Sequence, residues 1–159
     1  MNEFSPPPPV LDSARVIAYA ILGDDIPFTG ETSIFVDGKL LGRVPRLAIC
    51  ENLGEDMGPL LFHCHDDWTV LGISGGPTVE ETKQRAEINY PGVSKLWVHL
   101  DTSREAALDF YDRMTNGIKC SFCGRRPFEL TGLIEGDGAA ICRECVEKFH
   151  GDLSESSSR

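Results

Sequence analysis

Two Cys-x-x-Cys pairs, Cys120-Ser-Phe-Cys123 and Cys142-Arg-Glu-Cys145, limit what this chain can fold into more than any other feature. Two thiolates two residues apart can grip one cation from a single turn. A second pair, arriving after residues 124 to 141, completes a tetrahedral shell with no open position for chemistry. One structural Zn2+ held by Cys120, Cys123, Cys142 and Cys145 is therefore expected. Gly124 follows the first pair, where a tight turn must aim backbone amides at the sulfurs. Lys119, Arg125, Arg126 and Arg143 flank the ligands, and positive charge there eases the ionisation of four thiols. The competing uses of such cysteines are two disulfides or a redox pair, and neither explains two matched pairs so close together.

Non-ligand residues carry a more specific signal. Cys120-Ser-Phe-Cys123-Gly-Arg, then Leu133-Ile134-Glu135-Gly136, then Ile141-Cys142-Arg-Glu-Cys145-Val146 resembles the N-terminal zinc-binding domain of ClpX, the unfoldase partner of the ClpP protease, over about residues 118–150. The resemblance implies a small treble-clef-like module that dimerises and docks adaptors and substrates. The chain holds no G-x-x-x-x-G-K-[ST] phosphate loop and ends at Arg159, so ATP-driven unfolding is not expected of it.

Physics gives an independent reason to expect contact. Phe122, Phe128, Leu130, Leu133, Ile134, Ile141, Val146 and Phe149 are too many apolar side chains for so short a segment to bury alone, even around a metal. A second copy or the N-terminal domain should cover what is left.

The 159 residues leave room for one ordinary domain besides this module. No apolar run approaches 18 residues, and Met1–Pro9 lacks the basic start and apolar core of a secretory signal, so a cytoplasmic protein with no membrane partner is expected. Residues 1–117 carry nine Lys and Arg against 18 Asp and Glu, whereas 118–150 carries five of each. An acidic surface repels phosphate backbones, which argues against the nucleic-acid role that zinc fingers often suggest.

The domain boundaries follow composition: a disordered proline-rich tail over 1–9, an acidic α+β domain over 10–116, the zinc module over 118–150 and a disordered tail over 151–159. The Pro6–Pro9 run predicts a solvated extended segment, or a ligand for a proline-binding groove. Residues 15–22 read as a strand, and 33–36 with 39–41 as a hairpin turning at Asp37-Gly38. Strands are also expected at 46–50, 60–65 and 68–73, with Leu60, Phe62 and Cys64 on one face. Thr78 opens a helix that Asn89-Tyr90-Pro91-Gly92 ends, a short strand follows over 95–100, and Thr102 caps a second helix. The second helix carries Ala107, Phe110, Tyr111 and Met114 as an apolar stripe for the sheet. The fold class is α+β: an antiparallel sheet with two helices on one face, then the treble-clef-like module.

Three constellations bear on catalysis or recognition. Gly72-Ile73-Ser74-Gly75-Gly76 fits the G-x-S-x-G pattern of a hydrolase nucleophile, but the domain is too short for a hydrolase sheet, and a flexible turn is the plainer reading of Ser74. His63 and His65 share a strand face and with Asp67 form a two- or three-ligand metal set, against which stands a solvent-facing pair at a hairpin end. Trp68, Trp97 and Tyr90 lie near strand ends, as core or rim packing, or with Trp68, beside an acidic turn, as an anchor for a partner's basic side chain. The expectation is a non-catalytic protein that binds a protein partner or itself, an adaptor or inhibitor. The alternative is a small enzyme using Ser74 or the His63/His65 hairpin.

Overall fold

The computed structural model describes residues 5–157, so Met1–Phe4 of the expected tail, with Ser158 and Arg159, lie outside it. In chain order the elements are β1 (Val10–Leu11), β2 (Ala14–Ile21), β3 (Phe35–Val36), β4 (Lys39–Leu40), β5 (Arg46–Asn52), β6 (Pro59–Cys64), β7 (Val70–Gly75), α1 (Val79–Asn89), β8 (Val98–His99), α2 (Arg104–Met114), β9 (Leu133–Gly136), β10 (Ala139–Cys142) and α3 (Arg143–Ser156). Two compact units meet between Phe110 and Tyr111, inside α2.

The first unit is built on a curled antiparallel sheet in the order β1-β2-β5-β6-β7, with β8 also pairing β2. The Leu-Ala-Ile-Cys run of β5 is apolar without alternation because both faces of this strand are covered. Leu47 and Ile49 join Ala18, Ala20 and Leu61 on one face, with Ala86 of α1 and Tyr90 just beyond its end. Ala48 and Cys50 join Val16, Phe62, Cys64 and Trp68 on the other. Full burial of such side chains stabilises by roughly 1.5–3 kcal/mol for each of the larger ones. A bulge between Val16 and Ala18 rotates β2, so that Ala14 and Val16 serve the second cluster while Ala18 and Ala20 serve the first.

The first helix and most of the expected strands are present, but the strand expected over 95–100 is reduced to Val98–His99 after a 3-10 turn at Val93–Lys95. Asp37 and Gly38 have φ of 50° and 75°, both positive, which is what a two-residue turn between twisted strands requires. Thr78 caps α1 by accepting from the Glu81 amide at 3.1 Å.

Four readings are corrected. Ser103, not Thr102, caps α2, accepting from the Ala106 amide at 3.1 Å. The stripe on α2 is divided: Ala107 is buried, Met114 is half exposed and Tyr111 meets Phe128 edge-on at 4.9 Å. Trp68 is not in a strand; it sits in the turn before β7 with φ 69°. Residues 5–9 are only partly solvated: Ser5 and Pro6 are exposed, but Pro7 is buried and the segment is hydrogen-bonded at both ends.

In the second unit, β9 and β10 form an antiparallel hairpin followed by α3. The helix continues to Ser156, through residues for which composition suggested a disordered tail. Its small core is Cys120, Cys142 and Cys145, with Leu130, Leu133, Ile141 and Phe149 packed around them. No helix among the described residues is long and apolar enough to cross a membrane.

Candidate metal centre and the other candidate residues

The four expected ligands converge. The Sγ atoms of Cys120, Cys123, Cys142 and Cys145 all lie within 4.8 Å of one another, with Cys120 to Cys145 at 3.7 Å and Cys123 to Cys142 at 3.8 Å. Four sulfurs about 2.3 Å from one tetrahedral zinc stand about 3.8 Å apart, whereas a disulfide needs about 2.05 Å. The donor set and its spacing fit one structural Zn2+.

Each pair is placed by its own local structure. The Gly124 amide returns to the Cys120 carbonyl at 2.8 Å, and the Cys120 amide donates to the Arg125 carbonyl at 2.9 Å. That tight loop depends on Gly124, whose φ of 74° is costly for a residue with a Cβ. Cys142 ends β10 and caps α3, and Cys145 lies in the first turn of that helix, so its N-terminal dipole favours anionic sulfur.

The electrostatics match the ligand role. Burial opposes ionisation of Cys120, but the amides of Cys123, Cys142 and Phe122 outweigh it and bring its thiol down to about 6. The Arg125 guanidinium, 3.4 Å from Cys123 Sγ, lowers the Cys123 thiol. Burial and the neighbouring sulfurs push Cys145 up to about 12. Sulfurs so crowded resist joint ionisation until a divalent cation neutralises them. That neutralisation and cross-linking is what zinc supplies here. Arg125 also reaches Cys142 Sγ at 3.9 Å, whereas Arg126 and Lys119 turn to Asp112. Arg126 grips both Asp112 oxygens, at 2.7 and 3.0 Å, and Lys119 stands 3.1 Å away; together they hold the carboxyl down at about 2. This brace between α2 and the first cysteine loop was not foreseen from sequence.

The other candidates separate. His63 is buried, 2% exposed, and its Nε2 lies 3.1 Å from Ser74 Oγ on the neighbouring strand. Burial lowers its imidazole to about 4, so it is neutral at pH 7. The expectation of a solvent-facing histidine pair is thus overturned: β6 ends at Cys64, and His65 lies in an exposed turn with Asp66 and Asp67. Within that turn His65 bonds Asp66, and Asp67 Oδ1 accepts from the Thr69 amide at 2.8 Å. The His63, His65 and Asp67 metal set is not assembled. The space beside His63 and Ser74, walled also by Thr32, Arg85, Asn89 and Tyr90, is about 40 Å³, room for only a few waters. Cys50 and Cys64 are buried core thiols, both pushed up by burial, Cys64 to about 12.

Residues 118–155 match the family model described as the ClpX C4-type zinc finger, about a quarter of the chain. No solved structure matches the chain.

Proposed function

We propose that this protein is a non-catalytic protein-interaction protein, an adaptor or inhibitor, in which zinc at Cys120, Cys123, Cys142 and Cys145 fixes a module that docks a second copy or a protein partner. The observation that carries this reading is an uncovered apolar stripe. Val146, Phe149 and Leu153 fall at i, i+3 and i+7 on α3, and Phe122 packs edge-on against Phe149 at 5.1 Å. Phe122 is 60% and Leu153 69% exposed. A surface of this kind on so small a unit is usually covered by another protein. The ClpX-type match supports the same role, since that domain is a protein-interaction module. The ligands must stay reduced to bind metal, which suits a cytoplasmic location. The acidic excess in residues 1–117 disfavours nucleic acid.

The test is light scattering together with affinity capture from the native host, using the intact chain, a Phe122→Ala/Leu153→Asp variant and a chain lacking 118–150. Self-association or a captured partner that disappears with both changes supports the reading. Identical behaviour of all three sinks it and leaves the metal a folding role only.

The hydrogen bond between His63 and Ser74 favours a second reading, a small hydrolase with Ser74 as nucleophile. It requires Ser74→Ala to abolish an activity while the chain stays folded. An imidazole held near 4 is a poor base at neutral pH, and this weighs against it.

A further inference from the structure

The proline-rich segment is received by the first unit in a particular way. The Trp68 indole Nε1–H donates to the Ser5 carbonyl at 3.0 Å, and Arg46 Nη1 donates to the same oxygen at 3.3 Å. At the other end, the Val16 amide donates to the Pro9 carbonyl at 3.0 Å. Between them Pro7 is buried, Pro8 and Pro9 are half-buried and Pro6 is exposed.

A run of four prolines has no amide to offer, so it cannot extend a sheet as an ordinary strand. It can present only carbonyls and flat pyrrolidine rings. The receiving surface supplies the complement. Trp68 and Tyr19 stand edge-to-face at 5.6 Å, and the Arg46 guanidinium lies 4.9 Å over the Trp68 ring, which orients donor and ring together. Trp68 is held in the left-handed region at φ 69°, a costly conformation for a bulky residue, by a turn in which its amide donates to the His65 carbonyl at 3.1 Å. Backbone cost of this kind concentrates at ligand clamps. Here the indole N–H meets the carbonyl of the residue that leads into the proline run, beside an aromatic pair, and aromatic-lined grooves are what extended proline-rich segments dock into.

We propose that the surface formed by Trp68, Tyr19 and Arg46 is a docking groove for proline-rich extended segments, with Ser5–Pro9 as a built-in occupant that a proline-rich partner displaces. Exchange is like for like: an incoming segment of the same chemistry restores the carbonyl bonds that the departing one gives up. The prolines of such a partner are already extended, so little ordering entropy opposes binding. The cis segment acts as a competitor at high effective concentration, and partner affinity is reduced by the fraction of grooves it fills.

The test uses a Trp97→Phe background, which leaves Trp68 as the one tryptophan of the two in the chain. The probe is a synthetic peptide of residues 1–9, with a control in which its four prolines are glycine. The chain lacking residues 1–8 should bind the probe saturably, read as a blue shift of Trp68 emission, and should bind the control about tenfold more weakly. The intact chain should bind the probe about tenfold more weakly than the truncated one. A truncated chain with native circular dichroism and no saturable response to about 1 mM probe overturns the proposal. So does equal affinity for probe and control. Should the truncated chain not fold, full-length Pro7→Gly loosens the segment in place, and probe affinity no greater than that of the intact chain again overturns it. A dimer by light scattering that disappears with residues 1–8 would give the groove to a second copy's segment and refute the proposed occupant.

Discussion

At the scale of single residues, the chemistry of the metal centre divides into parts that can be tested separately. Cys142→Ser removes a ligand that is also the last residue of β10 and the cap of α3. The expected outcome is loss of the metal and of the second unit's cooperative transition, read by native mass spectrometry and by far-ultraviolet circular dichroism. Chelation of the unmodified chain should reproduce it, because a structural zinc contributes on the order of 10 kcal/mol to the fold it holds.

His63 gives a prediction of a different kind. Its imidazole falls from the usual 6.5 to about 4 in the folded chain, so between those values the unfolded state binds more protons than the folded one. The stability that depends on neutral His63 is complete above pH 6.5 and is lost as pH falls toward 4. From pH 7 to pH 5 the loss is about 2 kcal/mol. Urea unfolding followed by tryptophan emission should show this decline in the wild type and not in His63→Gln, with the metal-linked pH dependence common to both.

The ligand cysteines were legible in the sequence because their meaning lies in short spacings. His63 was not. Alternation placed it with His65, and only the end of β6 at Cys64, with Ser74 supplied by the next strand, parts the two.

At the scale of elements, close approach of backbones decides which substitutions are tolerated. A Cβ on Gly75 would stand 2.7 Å from the Pro59 carbonyl oxygen of the paired strand, which cannot move aside as a side chain would. Gly75→Ala should destabilise the first unit by about 1–3 kcal/mol, read by thermal unfolding.

The brace on the second unit is similarly local. Asp112→Asn removes the charge that Arg126 and Lys119 share and should cost about 1 kcal/mol in chemical denaturation with zinc present. Asp112→Asn and Arg126→Ala should be less than additive, since the two side chains form one pair.

Hairpins and the first helix were readable because Asp37-Gly38 and Thr78 act on their immediate neighbours. The docking of residues 5–9 was not, since its partner Trp68 arrives some 60 residues later and is shaped by its own turn.

At the scale of the whole molecule, the chain divides into two compact units inside α2. The sheet of the first unit has one consequence for handling the protein. β7 is the last strand on its side, paired only with β6 among the described residues, and its sequence Val-Leu-Gly-Ile-Ser-Gly contains no charge and no proline. Natural sheets usually guard such a border with lysine or proline, because open backbone groups there invite strands from neighbouring chains. Ile73 is 49% exposed, so Ile73→Lys should leave the melting temperature within a few degrees while reducing turbidity on concentration or heating. Without that gatekeeper, crowded or partly melted samples of this chain should clump through β7, and storage conditions should be chosen with that seam in mind.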